Sequence, residues 1–279
     1  MASQAPNSNP SAAPCIPYQP DSVSGQAQLA HSWDQAAAAY EGYFVPRFAP
    51  WVRDAIAALP ADLPPGDLVV PCCGTGPELL SLSARFPGRA ILGIDMSAGM
   101  LACAAERTQH MPQVRLRVAD ASDTREWPAC AAVISLFGLQ QIADPAGALR
   151  SWVEALVPGG VLSVIFWPAI IEEDGPFAWL RTALMRQLTL PSPVWESELA
   201  DSIALAGGRL HDDGEIVHAM KHDSAAECFV AFLASGPGRM LADRHGAAWV
   251  EQLRHEFMSV ASEGPIAHMP AARHLVARR

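Results

Sequence analysis

Gly74 and Gly76 flank Thr75 at the end of a short apolar run, and a carboxylate, Asp95, follows 19 residues after Gly76. Glycines at a strand end let the backbone approach a ligand and aim N–H groups at it. An acid at roughly that distance is what a ribose diol requires, since a carboxylate accepts both hydroxyl hydrogens. Each feature alone has an ordinary explanation, a tight turn or a helix cap. Together, in register with the surrounding elements, they point to a nucleoside-bearing cofactor. A dinucleotide fingerprint would continue G-x-G-x-x-G. Here the run is G-T-G-P-E-L, so the third glycine is absent and the turn suits a pyrophosphate poorly.

The elements that must position these residues alternate regularly from residue 67. The pattern predicts strands at Asp67–Pro71, Ala90–Asp95, Val114–Val118, Ala131–Phe137 and Val161–Trp167. Helices are expected from Pro77 to about Phe86, from a Ser97 cap to about Arg107, and from an Asp144-Pro145 start through Leu156. Five β–α repeats with continuous rather than alternating apolar strands predict an α/β fold with a doubly wound, mostly parallel sheet.

Upstream, residues 1–26 read as a disordered leader rich in Pro, Ser, Ala and Asn. Residues 27–64 read as a helical cap, in which Trp33, Ala37, Tyr40 and Phe44 form one stripe. Pro46 is expected to end that helix and Pro50 to open a second. Downstream, helices are predicted near 176–189, 196–206, 223–234 and 240–260, and strands near 215–220 and 274–277. The core is expected to comprise 65–222 and 263–279, with 223–262 inserted as a helical lid over the sheet's ligand edge.

Composition narrows the chemistry. Acids outnumber bases 29 to 19, the net charge is −10, and Lys221 is the sole lysine. A net anion is repelled by phosphate backbones, so a nucleic-acid partner is not expected. Lys221 follows no glycine-rich turn, which excludes a P-loop, and nothing supports a lysine Schiff base. The cysteines, Cys15, Cys72, Cys73, Cys103, Cys130 and Cys228, show no C-x-x-C spacing and no zinc pattern. Reduced thiols in a cytoplasmic protein are expected, with no metal. The first basic residue is Arg47 and no apolar signal core precedes it, so secretion is not expected. No apolar stretch is long enough to span a membrane.

The segments VVPCCGTGPELL, GIDMSAGML, RVADASD, AAVISLFGLQQIADP and ALVPGGVLSVIFWP occur in order over residues 65–168. This series resembles class I S-adenosylmethionine-dependent methyltransferases, and more loosely their small-molecule, quinone-biosynthesis-like branch. The resemblance implies a seven-stranded Rossmann-like sheet and S-adenosylmethionine as cofactor. By position, Gly74, Thr75 and Gly76 would line its methionine part, with Cys72 and Cys73 in the same loop. Asp95 would bind the ribose, Met96 would contact adenine, Asp120 and Ala121 would meet the adenine edge, and Leu136 would offer backbone groups near the amine. The family usually carries an acid two places before its first motif glycine; here Val70 and Cys72 occupy those positions, so that carboxylate is absent.

Methyl transfer from a sulfonium is an in-line displacement, in which the protein mainly aligns the nucleophile and excludes water. A hydroxyl acceptor also needs a base, whereas an amine can react through desolvation and orientation. Tyr40, Tyr43, Phe137 and Trp167 are candidate substrate contacts. Gln140 and Gln141 stand where relatives often carry histidine; glutamine can orient a substrate but cannot titrate. Base candidates are His31, His218 and His222, with Glu172, Glu173 and Asp174 behind them as a solvated turn, and positioning without a base is an equal alternative. The expected reaction is O- or N-methylation of a small molecule in bacterial specialised metabolism. The alternatives are a cofactor-binding relative with a non-methylating reaction and a non-catalytic binding module. Homodimerisation stays open.

Overall fold

The computed structural model describes residues 23–189 and 194–279; residues 1–22, most of the expected leader, lie outside it. Helix α1 runs Val23–Ala57 without a break, through both Pro46 and Pro50. This corrects the expected stop at Pro46 and moves the helix start into the last residues of the expected leader. Each internal proline removes one backbone hydrogen bond and crowds the carbonyl four residues back, at roughly 3 kcal/mol. The same segment buries Phe48, Trp51, Val52, Ala55 and Ile56. At about 1.5–3 kcal/mol for each large apolar side chain, that burial outweighs the prolines.

Strands β1 (Asp67–Pro71), β2 (Ile91–Asp95), β3 (Val114–Val118) and β4 (Cys130–Leu136) alternate with α2 (Pro77–Arg85) and α3 (Ala98–Thr108). Then come α4 (Pro145–Ala155), β5 (Leu156–Phe166), α5 (Pro176–Gln187), α6 (Trp195–Leu205) and β6 (Arg209–Val217). The chain closes with β7 (Met220–His222), α7 (Ala225–Leu233), α8 (Gly236–His245), α9 (Ala247–Val260), β8 (Ile266–His268) and β9 (Ala271–Arg278). The main sheet has seven strands in the order β3-β2-β1-β4-β5-β9-β6. β1 to β5 are parallel, while β9 inserts antiparallel between β5 and β6. This is the doubly wound, mostly parallel α/β fold the repeats predict, with the seven strands the resemblance implies. Every residue of β2 and β4 is buried, because helices cover both faces.

Several boundaries differ from expectation. β5 starts at Leu156 rather than Val161 and takes in Pro158-Gly159-Gly160, where the pairing register with β4 jumps from Cys130–Leu156 to Ala132–Val161. The strand expected at 215–220 is two strands, since β6 stops at Val217 and β7 pairs with β8 in a separate ribbon. The helix expected at 240–260 is α8 and α9, broken at Gly246, whose φ of 81° is accessible to glycine at little strain.

Packing divides into layers. One core joins α1, α2 and α3 to one sheet face, and a second joins α4 and α6 to the other. A third, built from α5, α7, α9 and β8 around Trp179, Leu184, Phe229 and Phe257, is separate from both.

Candidate functional site

The sheet reverses its winding between β1 and β4, and the crevice outside the carboxyl ends of such strands is where doubly wound folds bind ligands. A cavity opens there, with about 1400 Å³ of empty space, its mouth included. It is lined by the strand ends, by α1, and by Cys228, Phe232, Ser235, Pro237 and Phe257 from α7–α9.

The glycine loop and Asp95 form one unit. Asp95 Oδ2 accepts from the Gly74 amide at 2.8 Å and Oδ1 from the Ser97 amide at 2.9 Å. Burial pushes the Asp95 carboxyl up from its ordinary range, while the amides of Ser97, Gly74 and Met96 pull it down. Ser97 caps α3 by accepting from the Met100 amide, as its place in sequence suggests. Gly74 has a φ of 52° and nothing stands within 4 Å of where a Cβ would lie, so its backbone is open to a ligand. Asp95, Met96, Asp120, Ala121, Leu136 and Gly74 all line the cavity, and so does Cys72. Asp120 is fixed by its Oδ1, which accepts from the Ser122 amide and hydroxyl at 2.8 and 2.7 Å.

Cys73, Thr75 and Gly76 are not among the lining residues. Cys73 turns into the core near Gly93, Thr75 is fully buried with Oγ1 unpaired, and Gly76 serves as the left-handed start of α2. Val70, where the family's acid would stand, is fully buried in β1.

Strain concentrates at this edge. Cys72 and Phe137, at the ends of β1 and β4, both have a φ of 55°. A non-glycine residue there is disfavoured by about 1–2 kcal/mol, and such conformations persist where surrounding structure enforces them. Gly138 permits the approach, because a Cβ on it would lie 2.2 Å from that of Cys72. Phe137 stacks on Trp167 with ring centres 4.4 Å apart, and Phe48 closes against Phe137 at 4.5 Å. Gln140 Nε2 donates to the Phe137 carbonyl at 2.7 Å. The Oε1 atoms of Gln140 and Gln141 are buried without partners, two acceptors beside the cavity for a bound molecule's donors.

Tyr40, Tyr43 and His222 also line the cavity. The other two histidine candidates are not among its lining residues. His31 is exposed and pairs with Gln35 within α1, and His218 bonds Asp54 at 2.6 Å beside Trp51, away from the cavity. The Glu172–Asp174 run is not a simple solvated turn either. The Glu172 side chain is 6% exposed and bonds His268 Nδ1 at 2.6 Å, and Asp174 accepts from the Trp179 indole at 2.8 Å. His268 escaped the sequence reading. It stands 46 residues from its partner His222, and no local period links such positions.

Residues 70–160 match a family model described as a methyltransferase domain. The chain is 30% identical over 186 residues to the trans-aconitate 2-methyltransferase of Sinorhizobium fredii, covering 62% of this chain and 69% of that one. It is 37% identical over 97 residues to the 2-phytyl-1,4-naphtoquinone methyltransferase of Thermosynechococcus vestitus. That match covers 34% of this chain and 43% of the relative, less than two thirds of its length. A solved structure of a methyltransferase-like protein from Anaeromyxobacter dehalogenans superposes with a TM-score of 0.55 at 16% identity, covering 82% of this chain and 95% of that one. At that identity the likeness is one of fold. No helix among the described residues is long and apolar enough to cross a membrane.

Proposed function

The chain belongs to the class I S-adenosylmethionine-dependent methyltransferases, and from that premise we propose that it transfers a methyl group from S-adenosylmethionine to an oxygen or nitrogen of a small, largely apolar molecule. The observation that carries this reading is the joint presence of Gly74, Asp95 and Asp120 in the lining of one cavity whose other lining residues are mainly aromatic and aliphatic. The residues fit the cofactor. Asp95 has lone-pair capacity left for a ribose diol beyond the backbone amides it accepts from. Gly74 exposes backbone, and Asp120 stands at the edge where an adenine amino group would lie.

When bound, S-adenosylmethionine supplies a methyl already activated on a positive sulfur. The chain's own residues then align the acceptor and exclude water. Phe48, Phe137 and Trp167 provide a rigid apolar face, and the Gln140 and Gln141 carbonyl oxygens orient donors. The α7–α9 segment acts as the lid.

The lining also bears on substrate class. It contains neither arginine nor lysine among the described residues. A polycarboxylate such as trans-aconitate would find no cationic partner there, so an apolar acceptor fits better. The net charge of −10 opposes a nucleic-acid substrate.

Calorimetry with S-adenosylhomocysteine tests the reading. Wild type should bind it, and Asp95→Ala should lose about 2–3 kcal/mol, the loss expected when hydrogen bonds to a charged acceptor are removed. Wild-type binding no tighter than millimolar would overturn the assignment.

A further inference from the structure

Four polar side chains form a buried file leading away from the cavity. Tyr43 Oη lies 2.6 Å from His222 Nδ1, His222 Nε2 lies 2.9 Å from His268 Nε2, and His268 Nδ1 lies 2.6 Å from Glu172 Oε2. The β7–β8 ribbon builds the middle of the file, pairing His222 with Ile266 and Met220 with His268. The Phe177 amide donates to Glu172 Oε1 at 2.7 Å. With Glu172 accepting at both oxygens, one direction follows for every proton in the file. His268 donates from Nδ1 to Glu172, leaving its Nε2 as acceptor; His222 donates from Nε2, leaving its Nδ1 to accept from Tyr43. The Tyr43 oxygen then keeps a lone pair beyond its bond to His222, and Tyr43 is a cavity residue. Its other neighbours are the Cys228 thiol, Glu227, and the Arg47 guanidinium 3.7 Å above the ring.

Resting on the methyltransferase reading, we propose that Tyr43, His222, His268 and Glu172 form a proton-accepting relay, and that the acceptor is a hydroxyl, phenolic or enolic, on an apolar body. As the substrate oxygen–carbon bond forms, the carbon–sulfur bond breaks and its electron pair stays on sulfur. The substrate O–H proton passes to Tyr43 Oη and the Tyr43 proton to His222 Nδ1. The His222 Nε2 proton passes to His268 Nε2, and the His268 Nδ1 proton to Glu172 Oε2. One positive charge on sulfur and one negative charge on Glu172 are neutralised together. An amine acceptor would need no such base in the step itself. Tyr43 is the catalytic residue; the other three accept and position protons.

The experiment uses the full chain with S-adenosylhomocysteine bound. Long-range 1H–15N spectra of 15N-histidine protein at pH 7 should show His222 as the neutral Nε2–H tautomer and His268 as the neutral Nδ1–H tautomer. Glu172→Gln should disturb both patterns with S-adenosylhomocysteine affinity unchanged. As ligand probes, 2-naphthol should bind roughly 3- to 10-fold more tightly than 2-methoxynaphthalene, the gain from one hydrogen bond, and Tyr43→Phe should erase that preference. Reversed tautomers, imidazolium at either site, equal affinity for the two naphthalenes, or a preference that survives Tyr43→Phe would each overturn the relay. The wild-type spectra and affinities stand even if a variant fails to fold. Absence of S-adenosylhomocysteine binding would instead overturn the parent reading, and the hydroxyl assignment with it.

Discussion

Glu78 brings a carboxyl into the first turn of α2, where its Oε2 is buried and meets no partner. Burial, with a smaller push from Asp95, lifts it from 4.5 to about 7. His222 moves the other way, from 6.5 to about 4, because burial and then neighbouring His268 disfavour its charged form. The two have opposite linkage to stability. Folded Glu78 holds a proton that the unfolded chain releases, so its contribution is full below pH 4.5 and lost as pH climbs to about 7. Folded His222 refuses a proton that the unfolded chain takes, so its contribution is full above pH 6.5 and lost as pH falls to about 4. Each unit is worth about 1.4 kcal/mol, so each swing is on the order of 3 kcal/mol. Between pH 4.5 and 6.5 the two trends oppose. Glu78→Gln should therefore expose a stability that rises with pH across that window, and His222→Gln one that falls from pH 4.5 to 7. Urea midpoints of the two variants at pH 5 and 7 decide it; parallel slopes would show that these groups do not set the profile.

Helix α1 shows what an element can hide from its own sequence. Its apolar stripe was legible, but Pro46 reads as a stop. What carries the helix through is burial of Trp51 and its neighbours against the sheet, which no local pattern displays. Pro46 is exposed, so Pro46→Ala loses no packing and restores a backbone donor. It should raise stability by about 1–2 kcal/mol, the helix-interior penalty of proline less the entropy it removes from the unfolded chain; an unchanged urea midpoint would contradict this. The β1–β5 repeats were legible for the converse reason, because each is local, buried on both faces and punctuated by caps such as Ser97 and Asp144. The cofactor edge followed from those strand ends. The file of Tyr43, His222, His268 and Glu172 did not, since it joins α1, the β7–β8 ribbon and the loop after β5. A three-residue strand such as β8 leaves too short a pattern to detect.

At the scale of the molecule, the cavity has a lining of unequal attachment. The strand ends belong to the two sheet cores, whereas α7 and α9 belong to the third core with α5. Segments with their own core can open as cooperative units below the global stability. The proposed lid meets α1 where Gly236, at the start of α8, lies against Trp33: a Cβ there would stand 2.4 Å from the indole Cδ2. Trp33 is itself a cavity residue, so this contact couples lid position to the site. Gly236→Ala should force α8 off α1 and weaken S-adenosylhomocysteine binding about 10-fold, while the slowest-exchanging amides of β1 and β4 keep their protection. In the wild type, ligand at 100 times its dissociation constant should add about 2.7 kcal/mol of stability. Hydrogen exchange should show that gain reaching α7–α9, whose amides would otherwise exchange well before those of the sheet. If Gly236→Ala lowered protection equally in the lid and in β4, the lid would be no separate unit, and the site would open only by unfolding the whole fold.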